Sequence, residues 1–342
     1  MTDRDDERLN PGPPEQTPFT SSRPGAAAQP HHSMVPTNGD LGLVRSTPTP
    51  RSGWRKAVYR VTGVNPGISD EEANQKALLD RVNQPVVGGP FNIALLSQKG
   101  GVGKTTTTVG LGATLAATRG DRVIAVDANP DFGTLAQRGP NECDSTVRDV
   151  LLDDGISRYS DIRRHTSQSS SRLEILASER DPATSEAFSE HDYRGVLSVL
   201  QRFYNIILTD CGTGLVHSAM AGVLDAADVI VIVASPAIDS ARSALATLDW
   251  LERNGYSHLV PKAVVVVSAS RPGALGLDMG QLSNHFLPRV RAVHVIPFDD
   301  HLAEGAEVDL GFLSRSTRQA FLELASTVAD CFSVAPQLQR RA

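Results

Sequence analysis

The most constraining feature of this sequence is a glycine-rich stretch at residues 95–108, which reads LLSQKGGVGKTTTT. An apolar run at 93–96 precedes it and predicts a buried strand. A helical pattern at about 105–118, closed by Gly120, follows it. A glycine-rich turn between a strand and a helix is the setting in which a phosphate-binding loop forms.

The residue types in this turn suit the binding of a polyphosphate. Glycines let the backbone approach an anion without a clash, and the N–H groups at the helix N-terminus point at it. Lys104 is placed to reach the β- and γ-phosphates, and the Thr105 hydroxyl is placed to ligate Mg²⁺. The predicted ligand contacts are Gly100, Gly101, Val102, Gly103, Lys104, Thr105 and Thr106.

The loop departs from the common pattern G-x-x-x-x-G-K-[ST] in two places. Gln98 stands at the first glycine position, and Lys99 adds a second lysine. This form resembles the phosphate loop of the ParA/MinD family of dimerising ATPases. The resemblance implies ATP and Mg²⁺ as ligands and a nucleotide-dependent homodimer, in which Lys99 reaches the nucleotide of the partner. The alternative is a glycine-rich turn that carries an exposed lysine pair.

Two acidic strand ends are expected beside the loop, because ligand sites of open α/β sheets lie at the carboxyl ends of the strands. The runs RVIAVD and YNIILTD end in Asp127 and Asp210. Asp210 has the form of a Walker B carboxylate, which holds Mg²⁺ through water. Where the ParA/MinD family has Asp-x-Asp, this chain has Asn129 at the second position, so slow hydrolysis is expected. Asp131 either substitutes for that carboxylate or is a solvated turn residue.

The candidate catalytic residues are therefore Lys99, Lys104, Asp127 and Asp131. On the base side, the ending Ile-Pro-x-Asp of the last predicted strand resembles the adenine-side loop of the family. This resemblance makes Pro297, Phe298 and Asp299 the candidates for base contacts. An ordinary strand-ending turn is the alternative.

About seven apolar runs alternate with helical patterns, which predicts a doubly wound, mainly parallel α/β sheet. The ATPase-like domain is expected over 91–335, with a short tail at 336–342. Residues 1–50 contain nine of the 21 prolines and few large apolar residues, so they are expected to be disordered. Residues 51–90 are expected to form a short helical lead-in.

The lead-in begins with RSGWRKAVYRVTG at 51–63, which predicts a basic amphipathic helix. Such a helix could lie on an anionic membrane surface, bind an acidic partner or pack against the acidic domain. A second helix is expected to begin at Ser69, because Ser69 and Glu72 have the spacing of a capping box.

Charge and cysteine content narrow the range of functions that the sequence allows. Residues 1–90 hold ten of the 33 basic and ten of the 39 acidic residues, so the net charge of −6 lies in 91–342. An acidic domain is a poor non-specific DNA binder, so DNA binding is not favoured.

Three widely spaced cysteines indicate neither a disulfide framework nor a metal pair. Without a signal peptide or a long apolar run, a cytosolic location is expected, with peripheral contact at the inner face of the membrane left open.

A narrower resemblance extends over the lead-in, the loop and the run RGDRVIAVDANPDFGTLAQR. These segments are similar to ParA/MinD-like ATPases of actinobacteria that are encoded with type VII secretion systems. That likeness implies a switch that regulates or positions a secretion-linked process through a protein partner. The alternatives are a partitioning or division-site ATPase, a non-hydrolysing nucleotide-bound scaffold, and a metabolic kinase or ligase on the same fold.

Overall fold

The computed structural model describes most of the chain after residue 68. Its described residues are Lys56, Arg60, Val61, 69–129, 133–178, 188–273 and 278–333. The first three of these are helical and exposed. The predicted tail 1–50, Asp131, the C-terminal residues 336–342 and most of the predicted helix 51–63 lie outside the described residues.

One eight-stranded sheet organises the fold. In chain order, its strands are β1 (Phe91–Leu96), β2 (Val123–Ala128), β3 (Ser167–Gln168), β4 (Glu174–Leu176), β5 (Ile206–Cys211), β6 (Val229–Ala234), β7 (Val264–Ser268) and β8 (Ala292–Ile296). Their spatial order is β3-β4-β2-β5-β1-β6-β7-β8. Every pair is parallel except β3 with β4. The predicted doubly wound, mainly parallel α/β fold is confirmed.

Ten α-helices accompany these strands among the described residues. They are α1 (Asp70–Val82), α2 (Lys104–Thr118), α3 (Val147–Leu152), α4 (Tyr159–Ile162), α5 (Glu190–Leu200), α6 (Ser218–Ala226), α7 (Ile238–Arg253), α8 (Met279–Phe286), α9 (Asp300–Ala303) and α10 (Arg315–Ala329). Helix α1 begins with the predicted capping box, in which the Glu72 N–H donates to Ser69 Oγ at 3.2 Å and the Ser69 N–H donates to Glu72 Oε2 at 3.3 Å.

Both faces of the sheet are covered, because alternate residues of each buried strand point to opposite sides. Ile93 and Leu95 of β1 join the core cluster that contains residues of α1, α2 and α10. Ala94 and Leu96 join the cluster that contains residues of α5, α6 and α7. A parallel strand buried on both faces is mostly apolar, which explains why β6 is an unbroken apolar run and why β1 and β7 contain only one polar residue each, Asn92 and Ser268.

The structure differs from the sequence expectations at one sheet edge. Eight strands are present where about seven were expected, because β3 is two residues long and carries no apolar run. Strand β4 begins at Glu174, although the largely apolar run RLEIL starts at Arg172. Arg172 has a φ of 73° in the left-handed region, and its N–H donates to Ser169 O at 2.8 Å in a turn. That turn keeps Arg172 out of the strand and brings β3 back antiparallel to β4.

Candidate nucleotide site

The loop between β1 and α2 lies where three parallel strands end side by side. Strand β5 lies between β1 and β2, and the register pairs Asp210 with Leu95 on one side and with Asp127 on the other. The two carboxylates expected at strand ends are therefore neighbours across adjacent strands. Both are nearly inaccessible, each with 1% exposure.

Glycine is required at two positions of the loop. Gly101 and Gly103 have φ values of 72° and 89°, which side chains on L-residues rarely allow. A Cβ on Gly103 would also lie 2.7 Å from Ser268 Oγ. Helix α2 begins directly after Gly103, and no side chain caps its N-terminus. The first N–H groups of this 15-residue helix thus have no capping acceptor, which suits an anion.

Three side chains of α2 converge on Asp210. Lys104 Nζ lies 2.6 Å from Asp210 Oδ1, and the Thr108 hydroxyl donates to the same oxygen at 3.0 Å. The Thr105 hydroxyl donates to Asp210 Oδ2 at 2.7 Å. Residues one turn apart on a helix share a face, so the spacing of these three residues sets the cluster. The arrangement places an ammonium group, a hydroxyl and a carboxylate within one small space.

Asp127 is the second carboxylate of this edge and is held by backbone donors. The Asn129 N–H donates to its Oδ1 at 3.0 Å, and the Leu135 N–H donates to its Oδ2 at 3.0 Å. Burial and, next, the negative charge of Asp210 raise the pKa of Asp127 to about 7, although the two backbone donors act in the opposite direction. This carboxyl can therefore change its protonation state near neutral pH.

Lys99, the additional lysine of the loop, lies in a different environment. Its ammonium group forms an ion pair with Asp239 near the start of α7. The side chains of Lys99 and Asp239 are 38% and 68% exposed. Lys99 therefore points to the surface beside the loop and away from the buried cluster on Asp210.

A cavity of about 450 Å³ runs from the loop to the ends of β7 and β8. Of the predicted contacts, nine line it: Lys99, Gly100, Gly101, Gly103, Lys104, Thr105, Thr106, Phe298 and Asp299. Val102 instead belongs to the apolar core with 4% exposure, and Pro297 does not line the cavity. Asp127 and Asp210 lie behind the lining residues, because the side chains of α2 and the loop cover them.

The base-side candidate Asp299 has a structural task. Its Oδ1 accepts from the His301 N–H at 3.1 Å, and its Oδ2 accepts from the Ser314 N–H at 2.9 Å. Burial acts to raise the pKa of Asp299, but hydrogen bonds with Ser314, Thr317 and the Leu302 backbone outweigh it and the pKa is lowered. The carboxylate therefore caps α9 and ties the start of α10 to it, while the residue still borders the cavity.

Comparisons with known proteins agree with this geometry. A family model described as an AAA domain matches residues 92–253. The ESX-1 secretion-associated protein EspI of Mycobacterium tuberculosis is 39% identical over 282 residues, covering 82% of this chain and 42% of that protein. The sporulation initiation inhibitor protein Soj of Bacillus subtilis is 27% identical over 253 residues, covering 69% of this chain and 97% of Soj. The chain is therefore similar in sequence and fold to P-loop proteins of the ParA/MinD type.

The fold of this ParA/MinD-like domain is also that of a solved division protein. The septum site-determining protein MinD of Pyrococcus horikoshii, solved with Mg-ADP, aligns with a TM-score of 0.56 at 24% identity. The alignment covers 69% of this chain and 94% of MinD. The chain spans less than half the length of EspI, so the match to EspI concerns only that part of the larger protein.

The ParA/MinD-like domain also contains cavity residues that the sequence motifs do not identify. Thr134 and Arg138 follow β2, Ser268 ends β7 and is followed by Ala269 and Ser270, and Leu302 and Ala303 belong to α9. For Thr134, Arg138 and the residues 268–270, only their position near a strand end could have indicated a place in the cavity. Cys211 is buried, and burial raises its pKa to about 12. Within the described ranges, no helix has both the length and the apolar character needed to cross a bilayer.

Proposed function

We propose that this chain binds ATP with Mg²⁺ in the loop between β1 and α2 and acts as a dimerising switch with slow hydrolysis. The observation that carries the proposal is the convergence of Lys104, Thr105 and Thr108 on Asp210 at the uncapped start of α2. These donors fit a polyphosphate and a divalent cation, because Mg²⁺ takes hydroxyl, phosphate and water oxygens beside a carboxylate.

Each residue of the cluster has a distinct role in this proposal. The N–H groups of 100–106 bind phosphate oxygens, and Lys104 exchanges Asp210 for the β- and γ-phosphates. Thr105 ligates Mg²⁺ directly, and Asp210 holds it through water. Bound Mg²⁺ neutralises charge on the phosphate oxygens during transfer. Phe298 and the backbone near Pro297 and Asp299 contact the base.

The dimer rests on the position of Lys99. An exposed ammonium group at the rim of the cavity, paired only with an exposed carboxylate, can exchange that partner at little cost. In the proposed dimer, each Lys99 contacts the phosphates of the partner's nucleotide. Contacts that exist only with the γ-phosphate in place provide the differential affinity that a two-state switch needs.

Slow hydrolysis follows from the residues that surround the proposed γ-phosphate position. Asn129 lines the cavity where the family has a carboxylate, and an amide cannot accept a proton from water. Asp127 is fully buried and accepts two backbone N–H groups, so water does not reach it directly. Asp131 stays a candidate for this role and lies outside the described residues.

The process that the switch serves is proposed from the two relatives. The similarity to EspI supports a role in regulating or positioning a type VII secretion-linked process through a protein partner. Soj is matched over almost its whole length, which supports the second candidate, a partitioning or division-site ATPase. The net charge of −6 disfavours the DNA binding that partitioning requires. A cytoplasmic location, with membrane contact through 51–63, completes the proposal.

Titration calorimetry with Mg-ATP and Mg-ADP tests the binding step, and saturable binding of both is expected. Steady-state turnover tests the hydrolysis step, and a rate below the ~1–100 s⁻¹ of fast P-loop enzymes is expected. Asn129→Asp should raise turnover by up to about 10²-fold, the contribution of a positioned general base. Absence of Mg-ATP binding would contradict the proposal, and fast turnover of the wild type would contradict its hydrolysis part.

A further inference from the structure

Arg138 is a charged cavity residue that the proposed roles above do not use. It is the last residue of the 3₁₀ helix Leu135–Arg138, which follows β2, and it is half-buried against the cavity. Its backbone O accepts from the Val308 N–H at 3.0 Å, and its Nη1 donates to Leu302 O at 3.5 Å. The side chain therefore reaches from the β2 side of the site to the segment that follows β8.

The guanidinium has no acidic partner among the described residues. No described carboxylate forms an ion pair with it, whereas Arg289, which is partly buried, pairs with both Asp249 and Glu252. Burial lowers the pKa of Arg138, and the negative charge of Asp210 acts in the opposite direction. A half-buried cation that faces a cavity and forms no ion pair with a described carboxylate is a position at which an anionic ligand replaces lost hydration.

The cavity identifies the chemistry of that anion. Lys104 and Thr105 line the same cavity and surround Asp210, the carboxylate whose charge reaches Arg138. A planar guanidinium binds phosphate through two parallel N–H···O bonds, which a single ammonium group cannot do. The described lining has one carboxylate, that of Asp299, and its two oxygens accept the backbone N–H groups of His301 and Ser314.

We propose that Arg138 is a second phosphate-binding cation of this site, which contacts the polyphosphate of the nucleotide from the side opposite the loop. This inference rests on the proposed nucleotide function. Since Arg138 also holds Leu302 O, its phosphate contact ties the segment after β2 to the segment after β8. A bound nucleoside polyphosphate thereby bridges the two sides of the cavity, and a nucleoside without phosphates does not.

The test compares the affinities of Arg138→Gln, Arg138→Lys and wild type for Mg-ATP, Mg-ADP and Mg-GTP by titration calorimetry. Arg138→Gln should weaken Mg-ATP binding by about tenfold to hundredfold, which is the loss expected for a charge-assisted hydrogen bond. Arg138→Lys should recover part of that loss, because it keeps the charge but lacks the fork. Arg289→Gln, far from the cavity residues, is the matched control and should bind as the wild type does.

Two further measurements separate the possible outcomes. Thermal unfolding without nucleotide should show equal midpoints for wild type and Arg138→Gln, because no buried ion pair is broken. If Arg138→Gln has a lower midpoint and this loss of stability accounts for its weaker binding, the proposal is overturned. Unequal losses for Mg-ATP and Mg-GTP would place the guanidinium on the base and would also overturn it. If wild type binds no Mg-ATP, the proposed function fails; if wild type and Arg138→Gln bind equally, only the role of Arg138 fails.

Discussion

Two lysines of one loop, five positions apart, lie in opposite environments. Lys104 is 8% exposed and forms an ion pair with Asp210, which is 1% exposed and bound by two threonine hydroxyls. Lys99 is 38% exposed and pairs with Asp239, which is 68% exposed. The first lysine belongs to the interior of one subunit, whereas the second is presented at its surface. The difference supports the proposal that one loop serves two tasks, ligand binding within the chain and contact with a second copy.

The largest expected difference between the two lysines is in stability and binding. Lys104→Ala should abolish Mg-ATP binding and lower the free energy of unfolding by about 3–5 kcal/mol, because it leaves the buried Asp210 carboxylate unpaired. Lys99→Ala should leave the denaturant midpoint unchanged, since both groups of its ion pair are hydrated. Equal effects of the two substitutions on urea unfolding without nucleotide would show that the comparison is wrong.

The buried half of the site should also make stability depend on pH. The pKa of Asp127 is raised from 3.8 to about 7, so the folded state binds a proton more tightly than the unfolded state does. The contribution to stability is fully present below pH about 4 and is lost as the pH rises through about 7. Its slope reaches up to about 1.4 kcal/mol per pH unit.

Asp127→Asn removes this titrating group and keeps an acceptor oxygen for only one of the two backbone N–H groups, those of Asn129 and Leu135, so the slope of stability with pH is compared rather than its level. Urea unfolding of both proteins between pH 5.5 and pH 8 should show a smaller decline of stability with pH in the variant. Asp239→Asn offers the control from the exposed half of the site, and it should retain the wild-type pH dependence across this range. Parallel curves for wild type and Asp127→Asn would contradict the shifted pKa.

A smaller effect is expected where the exposed lysine is released from its partner. Asp239→Asn removes the carboxylate that competes for Lys99, so the ATP-dependent dimer should form at a protein concentration about two- to fivefold lower. Sedimentation velocity with a non-hydrolysable ATP analogue measures this shift. Weaker dimerisation of Asp239→Asn would indicate that Asp239 itself contacts the partner rather than restraining Lys99.

The same two environments explain how much of the site could be predicted from the sequence. The cluster of Lys104, Thr105 and Asp210 was predictable, because an apolar run before each motif fixes a strand end and parallel strand ends meet at one edge. The partner of Lys99 was not predictable, since Asp239 lies on α7 after β6 and has no motif of its own. Its contact depends on strand order, which places β6 directly beside β1.

Other features of the fold could not be predicted from the sequence, for reasons that are local to each of them. Strand β3 consists of two polar residues, and no signal in the sequence predicts the left-handed conformation of Arg172. Arg138 is held at the cavity by the segment after β8, which binds its side chain through Leu302 O and its backbone O through the Val308 N–H. Asp299 borders the cavity as its motif predicts, but its carboxylate accepts backbone N–H groups. The motif therefore predicted the position of this residue but not its hydrogen-bond partners.

The central claim is that ATP joins two copies of this chain through Lys99. Size-exclusion chromatography with light scattering, with a non-hydrolysable ATP analogue and with ADP, tests it on wild type, Lys99→Ala and the exposed-lysine control Lys76→Ala. We expect wild type and Lys76→Ala to be dimers with the analogue and monomers with ADP, and Lys99→Ala to be a monomer with either nucleotide although it still binds both. A Lys99→Ala protein that dimerises with the analogue as wild type does, or a wild type that binds the analogue and stays monomeric, would contradict the claim.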